Sequence, residues 1–309
     1  MNQIINKANN ALVIDNEAEI INSYINSLDV RPRSKDTYKK ALKRFVIFSK
    51  GRSKPLTRQD ILKYKDLLIT NYSAPTVSAY LTAVKGFYNY LEAEKISPNI
   101  ARGIKGAKSQ KGFKKDALTI EQARNTITGI DKKTINGKRN FALITLLIHT
   151  GLRTIEVVRA NIEDIRQESG EALLYIQGKG RDSKDDFVVL TESTLKPIRE
   201  YLKARGEAKE NEALFASNCN RCKGERMTTR SISRIAKNAL VKAGIDSKRI
   251  TAHSLRHTAI TFSLLAGASI QEAKDLARHT NINTTMIYAH NINRVKNAPE
   301  RKIEKLLAI

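Results

Sequence analysis

The chain has 309 residues, 41% of them hydrophobic, which suffices for the core of one large domain or two ordinary ones and argues against wholesale disorder. The 55 Lys and Arg against 31 Asp and Glu leave a net charge of +24, a self-repulsion that a polyanionic partner relieves. The longest apolar run, "FALITLLI" at 141–148, is far too short to span a bilayer, and the opening "MNQIINKANNALVIDNEAEI" has none of the parts of a secretory leader.

Residues 1–16 are mixed in character and read as a flexible N-terminus. From Glu17 a helical period sets in, with Ile20, Ile21, Tyr24, Ile25 and Leu28 on one stripe. "SKDTYKKALKRFVIFSK" predicts a second helix capped by Ser34, with Tyr38, Leu42, Phe45 and Val46 inward and Lys39, Lys43 and Arg44 outward. "LTRQDILKYKDLLI" predicts a third, with Thr57 as its N-cap. "SAPTVSAYLTAVKGFYNYLEAE" predicts a fourth, Pro75 in its first turn and Lys85 off its apolar stripe. Residues 17–104 therefore read as a small all-α domain. From Arg31 to Lys115 there are 21 Lys and Arg against 5 Asp and Glu, so this third carries +16 of the total. Nucleic acid is the natural partner, because neutralised phosphates release counterions. An anionic membrane is the competitor, but no aromatic-anchored basic amphipathic helix supports it.

"KGAKSQKGFKKD", 105–116, is a basic linker by composition; its Lys105, Lys108, Lys111, Lys114 and Lys115 are candidate phosphate contacts. A second domain, 117–294, opens on a helix capped by Thr119. "KRNFALITLLIHTGLRTIEVVRA" then predicts a buried helix broken at Gly151, with His149 half-buried at its end. In "EALLYIQGKGRDSKDDFVVL" two β-prone runs, 172–177 and 187–190, flank a Gly-rich turn and predict a hairpin. Cys219 and Cys222 exclude a disulfide scaffold and point to a cytoplasmic chain; the lone "CNRC" reads as a turn with two free thiols. Helices resume in "TLKPIREYLKAR", "TTRSISRIAKNALVKAGI", "SLRHTAITFSLLAGA" and "SIQEAKDLARHT". A tail at 295–309 puts Ile303, Leu306, Leu307 and Ile309 on a short apolar stripe, for docking into a neighbouring protomer or onto its own domain. The fold class is mainly α with a small β-hairpin or sheet.

Four stretches carry candidate chemistry: Arg153 and Glu156 in "TGLRTIE", Lys179 in "QGKGRD", His253 and Arg256 in "HSLRH", His279 and Tyr288 in "HTNINTTMIY". Singly, each has a plain structural reading: an i, i+3 ion pair, a solvated turn lysine, a surface pair, a packed aromatic. His253 and His257 at i, i+4 suggest a zinc helix, but Ser254 stands where a metalloprotease has Glu and no third ligand is evident, so no metal is expected. His290 reads as a surface residue. Together, two arginines, two histidines, a lysine and a tyrosine are the parts of metal-free phosphoryl transfer. A phenol acts as nucleophile, guanidinium forks hold the non-bridging oxygens, and a lysine protonates the departing oxygen.

The order Arg, Lys, His-x-x-Arg, His, Tyr closely resembles the tyrosine recombinase (phage-integrase) family, over roughly residues 17 to 300. "TGLRTIEVV" matches its TGLR-x-x-E-L element with Val157 for Leu. "QGKGRDSKDDFVVL" matches its GKG hairpin. "HSLRHTAITFSLLAGASIQEAKDLARHTNINTTMIY" matches its signature, with Ala277 and Arg278 where Leu-Gly is usual. The resemblance implies an N-terminal core-binding domain and a C-terminal α+β catalytic domain of the DNA breaking–rejoining type, closing on duplex DNA as a clamp. It implies that Tyr288 forms a 3′-phosphotyrosyl bond, that Arg153 and Arg256 hold the phosphate with His253 and His279 in support, that Lys179 is the general acid, and that Glu156 orients the first arginine helix. It further implies no cofactor, a Holliday junction, a homotetramer on two duplexes (a monomer or dimer when free), and a cytoplasmic, nucleoid-associated enzyme of bacterial or phage origin. It points to a Xer-like two-domain member, for chromosome-dimer resolution, phage integration or transposon movement. A type IB topoisomerase and a non-catalytic DNA-binding protein are the alternatives weighed against it.

Overall fold

The computed structural model describes residues 17–50, 52, 55–108, 116–178, 181–218, 222–296 and 299–307. The expectations for 1–16, Lys111, Lys114, Lys115, Lys179, Cys219 and Ile309 lie outside them. The chain divides into two compact units, Met1–Lys111 and Gly112–Ile309.

In the first unit, helices α1 (Glu17–Ser27), α2 (Pro32–Ser49), α3 (Arg58–Asn71) and α4 (Ala74–Ala93) bury one stripe each. Ile25, Leu42, Ile61, Tyr64, Leu68 and Leu81 are wholly inaccessible, and burial of such side chains, each contributing about 1.5–3 kcal/mol, holds four short helices together. The start of α2 corrects the expectation of a Ser34 cap. The helix begins at Pro32, whose ring presets the helical φ at a position that needs no N–H donor. The α3 start is as expected: Thr57 N donates to Asp60 Oδ2 at 2.9 Å, closing a capping box. Lys39, Lys43, Arg44, Lys105 and Lys108 are exposed and Lys85 is partly so; the Arg44 guanidinium lies 5.1 Å above the Tyr72 ring.

The second unit begins with α5 (Ile120–Thr128), capped by Thr119 Oγ1 accepting from Gln122 N, and the buried α6 (Ile135–Thr150). A short α7 (Thr154–Arg159) leads into an antiparallel sheet of β1 (Ile165–Glu168), β2 (Glu171–Ile176) and β3 (Asp186–Val189), in the order β1-β2-β3. The expected hairpin is β2–β3, with Leu174 opposite Val188. Strand β1, "IRQE", extends it through backbone pairing that its polar side chains do not announce. Six helices follow: α8 (Glu192–Arg205), α9 (Thr229–Lys242), α10 (Ala252–Leu265), α11 (Ile270–Ala277), α12 (Ile282–Lys296) and α13 (Pro299–Leu307).

His149 is satisfied as expected, its Nδ1 2.7 Å from Thr194 Oγ1, and burial lowers its pKa. Two smaller expectations change. Cys222 is disulfide-bonded rather than a free thiol. The tail residues Ile303, Leu306 and Leu307 sit on α13 and are 55%, 84% and 59% exposed, so the tail's apolar stripe does not cover itself on its own chain. Among the described residues no helix is long and apolar enough to cross a membrane.

Candidate active site

The site is assembled from helix ends. Helix α6 stops at Gly151, whose φ of 62° lies in the left-handed region, and a Cβ there would stand 3.2 Å from that of Ala259 on α10. Glycine suits both the turn and the close approach. The reversal delivers Arg153 to the N-cap of α7, so Arg153 and Glu156 form a capping pair rather than a pair on a helix face. Glu156 Oε2 accepts from Arg153 N, and Glu156 Oε1 accepts from Arg153 Nη1, both at 2.7 Å. Glu156 is completely buried. Burial pushes its carboxyl up, but the Arg278 charge and the Arg153 hydrogen bonds outweigh this and hold it below the usual carboxylate range.

Helix α10 supplies Arg256, 3% exposed, which donates through Nη1 to Gly151 O at 2.5 Å and through Nη2 to Ala277 O. Helix termini leave carbonyls without intrahelical partners, and here the ends of α6 and α11 find theirs in one guanidinium. Arg153 Nη2 donates to Arg278 O at 3.4 Å, so both arginines expected at the phosphate anchor to the end of α11. Burial, together with Arg153 and Arg278, depresses the Arg256 pKa to about 9. Three guanidiniums crowd a single carboxylate, and the locus is one that an anion would stabilise.

Past α11, the chain places Arg278 in the left-handed region (φ 51°, ψ 48°) and then His279. His279 Nδ1 and Thr285 Oγ1 are 3.0 Å apart; burial, then Arg256, Arg153 and Arg278, lower the His279 pKa to about 4. Tyr288, on α12, is 6% exposed and its ring lies 6.4 Å from that of His279. Burial raises its phenol to about 12 against the pull of Arg256. His253 is exposed at the start of α10. Arg153, Glu156, Arg256, His279 and Tyr288 thus gather in one locus, with His253 on its rim. Lys179 is outside the described residues; beside it, Gly178 O accepts from Arg159 Nη1 at 3.1 Å.

Three residues in the locus escaped the sequence reading. Thr285 partners His279. His257, considered there only as a zinc ligand, has its Nδ1 2.5 Å from Tyr288 Oη. Arg278, noted only as a departure, is buried against Glu156, Nη2 to Oε2 3.2 Å, and also donates to Leu276 O and Gly151 O. Spacing offered a signal for Thr285, three residues before Tyr288 on one helical face, but none for the other two pairings.

A helical unit followed by a mixed unit that brings two arginines, a histidine and a buried tyrosine to one cationic, anion-binding locus defines a tyrosine site-specific recombinase. The model of the phage integrase family matches residues 117–294, and that of the phage integrase N-terminal SAM-like domain matches 19–97. The chain belongs to the phage integrase family. It is 33% identical over 236 residues to the tyrosine recombinase XerC of Chlamydia muridarum, covering 76% of this chain and 73% of that one. It is 28% identical over 265 residues to XerD of Listeria monocytogenes, covering 82% and 86%. Against XerC of Caldanaerobacter subterraneus the identity is 32% over 221 residues, 70% of this chain but only 59% of that relative's length. In fold it is similar to the Tn1549 transposon integrase in complex with transposon right end DNA (TM-score 0.71, 16% identity, 87% of this chain and 93% of that one). It is likewise similar to XerH bound to palindromic difH substrate (TM-score 0.70, 22% identity, 89% and 79%).

Proposed function

We propose that this recombinase cuts and rejoins duplex DNA through a 3′-phosphotyrosyl bond to Tyr288. The observation that carries the proposal is the convergence of Arg153, Arg256 and His279 with the buried Tyr288 around a locus whose cations already depress one another. A scissile phosphate in that locus takes the place of the missing negative charge. Arg256 and Arg153 bind its non-bridging oxygens and stabilise the charge of the pentavalent transition state. The neutral His279, its ring set by Thr285, donates to a phosphate oxygen, and His253 assists from the rim. Glu156 holds Arg153 in place. Lys179, by the family resemblance, protonates the departing 5′-oxygen. The phosphotyrosyl ester retains the energy of the broken linkage, and a 5′-hydroxyl from a second duplex reverses the step.

Double-stranded DNA is the partner on this reading. Lys39, Lys43, Arg44, Lys85, Lys105 and Lys108, with Lys111, Lys114 and Lys115, supply phosphate contacts around a basic linker at 105–116. A homotetramer on two sites passes through a Holliday junction; lambda integrase, of similar fold, is seen as a tetramer bound to a Holliday junction. The exposed apolar stripe of α13 is consistent with docking between protomers, and the setting is the cytoplasm.

The test uses a duplex selected by the protein from a random-sequence pool, nicked so that the cleaved fragment diffuses away. Wild-type protein accumulates a covalent adduct and Tyr288→Phe gives none while binding the duplex equally well. An adduct surviving in Tyr288→Phe refutes the assignment. Two labelled duplexes then separate recombination, which exchanges strands between them, from topoisomerase-like nicking and resealing, which does not.

A further inference from the structure

His257 has no part in the mechanism above. It follows Arg256 directly on α10, is 8% exposed, and sits edge-on to His253 with ring centroids 4.8 Å apart. Its Nδ1 is 2.5 Å from the phenolic oxygen of Tyr288, a residue 31 positions away on another helix. The two rings are 5.3 Å apart and inclined by 34°.

A protonated phenol is a weak nucleophile, and attack at phosphorus must dispose of its proton. Burial in this locus makes the need sharper, since the free phenolate is held to about 12. We infer that His257 is a further catalytic residue, whose Nδ1 takes the proton of Tyr288 during attack and returns it when the phosphotyrosyl ester is broken. The inference rests on Tyr288 as the nucleophile.

The bonds and charges balance. The Oη–phosphorus bond forms and the phosphorus–O5′ bond breaks. The phenolic proton moves to His257 Nδ1, and the 5′-oxygen receives its proton from the general acid. Resealing runs the same transfers backwards. Groups facing His257 include His253, Arg256, His279 and Tyr288. Burial first, then the first three of these, keep its pKa at about 4, so the imidazole is neutral and one nitrogen is able to accept. Such a ring is a poor base in the empty site. Two things change as the reaction proceeds: the bound phosphate offsets the surrounding cations, and the phenolic oxygen loses its basicity as it bonds to phosphorus. The proton therefore moves in the transition state, where it is useful, and not before. The plainer reading is a buried histidine that only satisfies a buried hydroxyl; it predicts a different response to a more acidic phenol.

The experiment measures single-turnover cleavage of the selected nicked duplex by the full chain. His257→Ala should cut about a hundredfold more slowly or worse, the usual scale of a lost general base, with DNA affinity unchanged. Replacing Tyr288 by 3,5-difluorotyrosine, which ionises more easily, should restore much of the lost rate in the His257→Ala background. His257→Gln keeps a hydrogen-bonding side chain without a basic nitrogen, and it should be as slow as the alanine variant, which covers the case where alanine disturbs folding. Wild-type or faster cleavage by both variants overturns the inference, as does an equal defect with either phenol. An adduct in Tyr288→Phe strikes instead at the nucleophile assignment and so is told apart.

Discussion

Arg278→Gly restores the residue usual in the family at this position and sets two effects of opposite sign against each other. The backbone there is left-handed, φ 51° and ψ 48°, which for a residue with a Cβ costs about 1–2 kcal/mol that glycine does not incur. Part of that gain is offset by the greater freedom of glycine in the unfolded chain, about 0.4–1 kcal/mol. Against it stands the side chain, 6% exposed, which pairs with the wholly buried Glu156 at 3.2 Å and donates to Leu276 O and Gly151 O. Breaking a buried pair by removing one partner costs about 3–5 kcal/mol. The lower end applies, because Glu156 keeps its bonds to Arg153 and because one of three crowded guanidiniums is removed. The pair outweighs the strain, and the variant should be about 2 kcal/mol less stable. Urea unfolding of the wild type and Arg278→Gly, compared by midpoint at equal slope, measures it. A variant as stable as the wild type, or more so, would show that the ion pair does not govern this turn and that the reasoning is mistaken.

Other expectations follow from the same geometry. Arg256→Lys replaces a planar fork that reaches two helix ends with a single ammonium; cleavage of the nicked duplex should fall about a hundredfold or more while DNA binding changes far less. Unchanged cleavage would mean the fork is not what binds the phosphate. The pH dependence of stability has a definite sign. The folded His257 pKa of about 4 lies below the ordinary imidazole value of about 6.5, so the unfolded chain binds the extra proton first; stability is full above 6.5 and is lost as pH falls toward 4. For this group alone the loss between pH 7 and pH 5 is about 2 kcal/mol, and His257→Gln should flatten the profile of urea midpoints by that amount. DNA affinity should fall steeply and linearly on a log–log plot against salt, by about a thousandfold or more between 50 and 200 mM if six or more phosphates are neutralised. A flat response in a fluorescence-anisotropy titration would dismiss the basic first unit as the phosphate-binding surface.

Much of the molecule was legible in advance because its signals are local. Thr57 and Thr119 cap helices because a side-chain oxygen and an orphan N–H lie three residues apart, a relation contained within one turn. The β2–β3 hairpin showed in two β-prone runs about a Gly-rich turn. Strand β1 did not, since its pairing uses backbone groups that every sequence has, and α2 began early because Pro32 is a better first residue than Ser34 is a cap. The ordered set Arg153, Arg256, His279, Tyr288 could be picked out by residue type and spacing.

What no spacing rule contained is which of these groups touch. Amino-acid order determined a basic helical unit, a mixed unit and a set of side chains suited to phosphoryl transfer. Only the packing of α10 against α6, α11 and α12 decided that Arg256 would close two helix ends, that Arg278 would be buried on Glu156, and that His257 would meet Tyr288. Those contacts join residues 21 to 122 positions apart. Their chemistry depends on burial and on neighbouring charge, which exist only once the chain has folded.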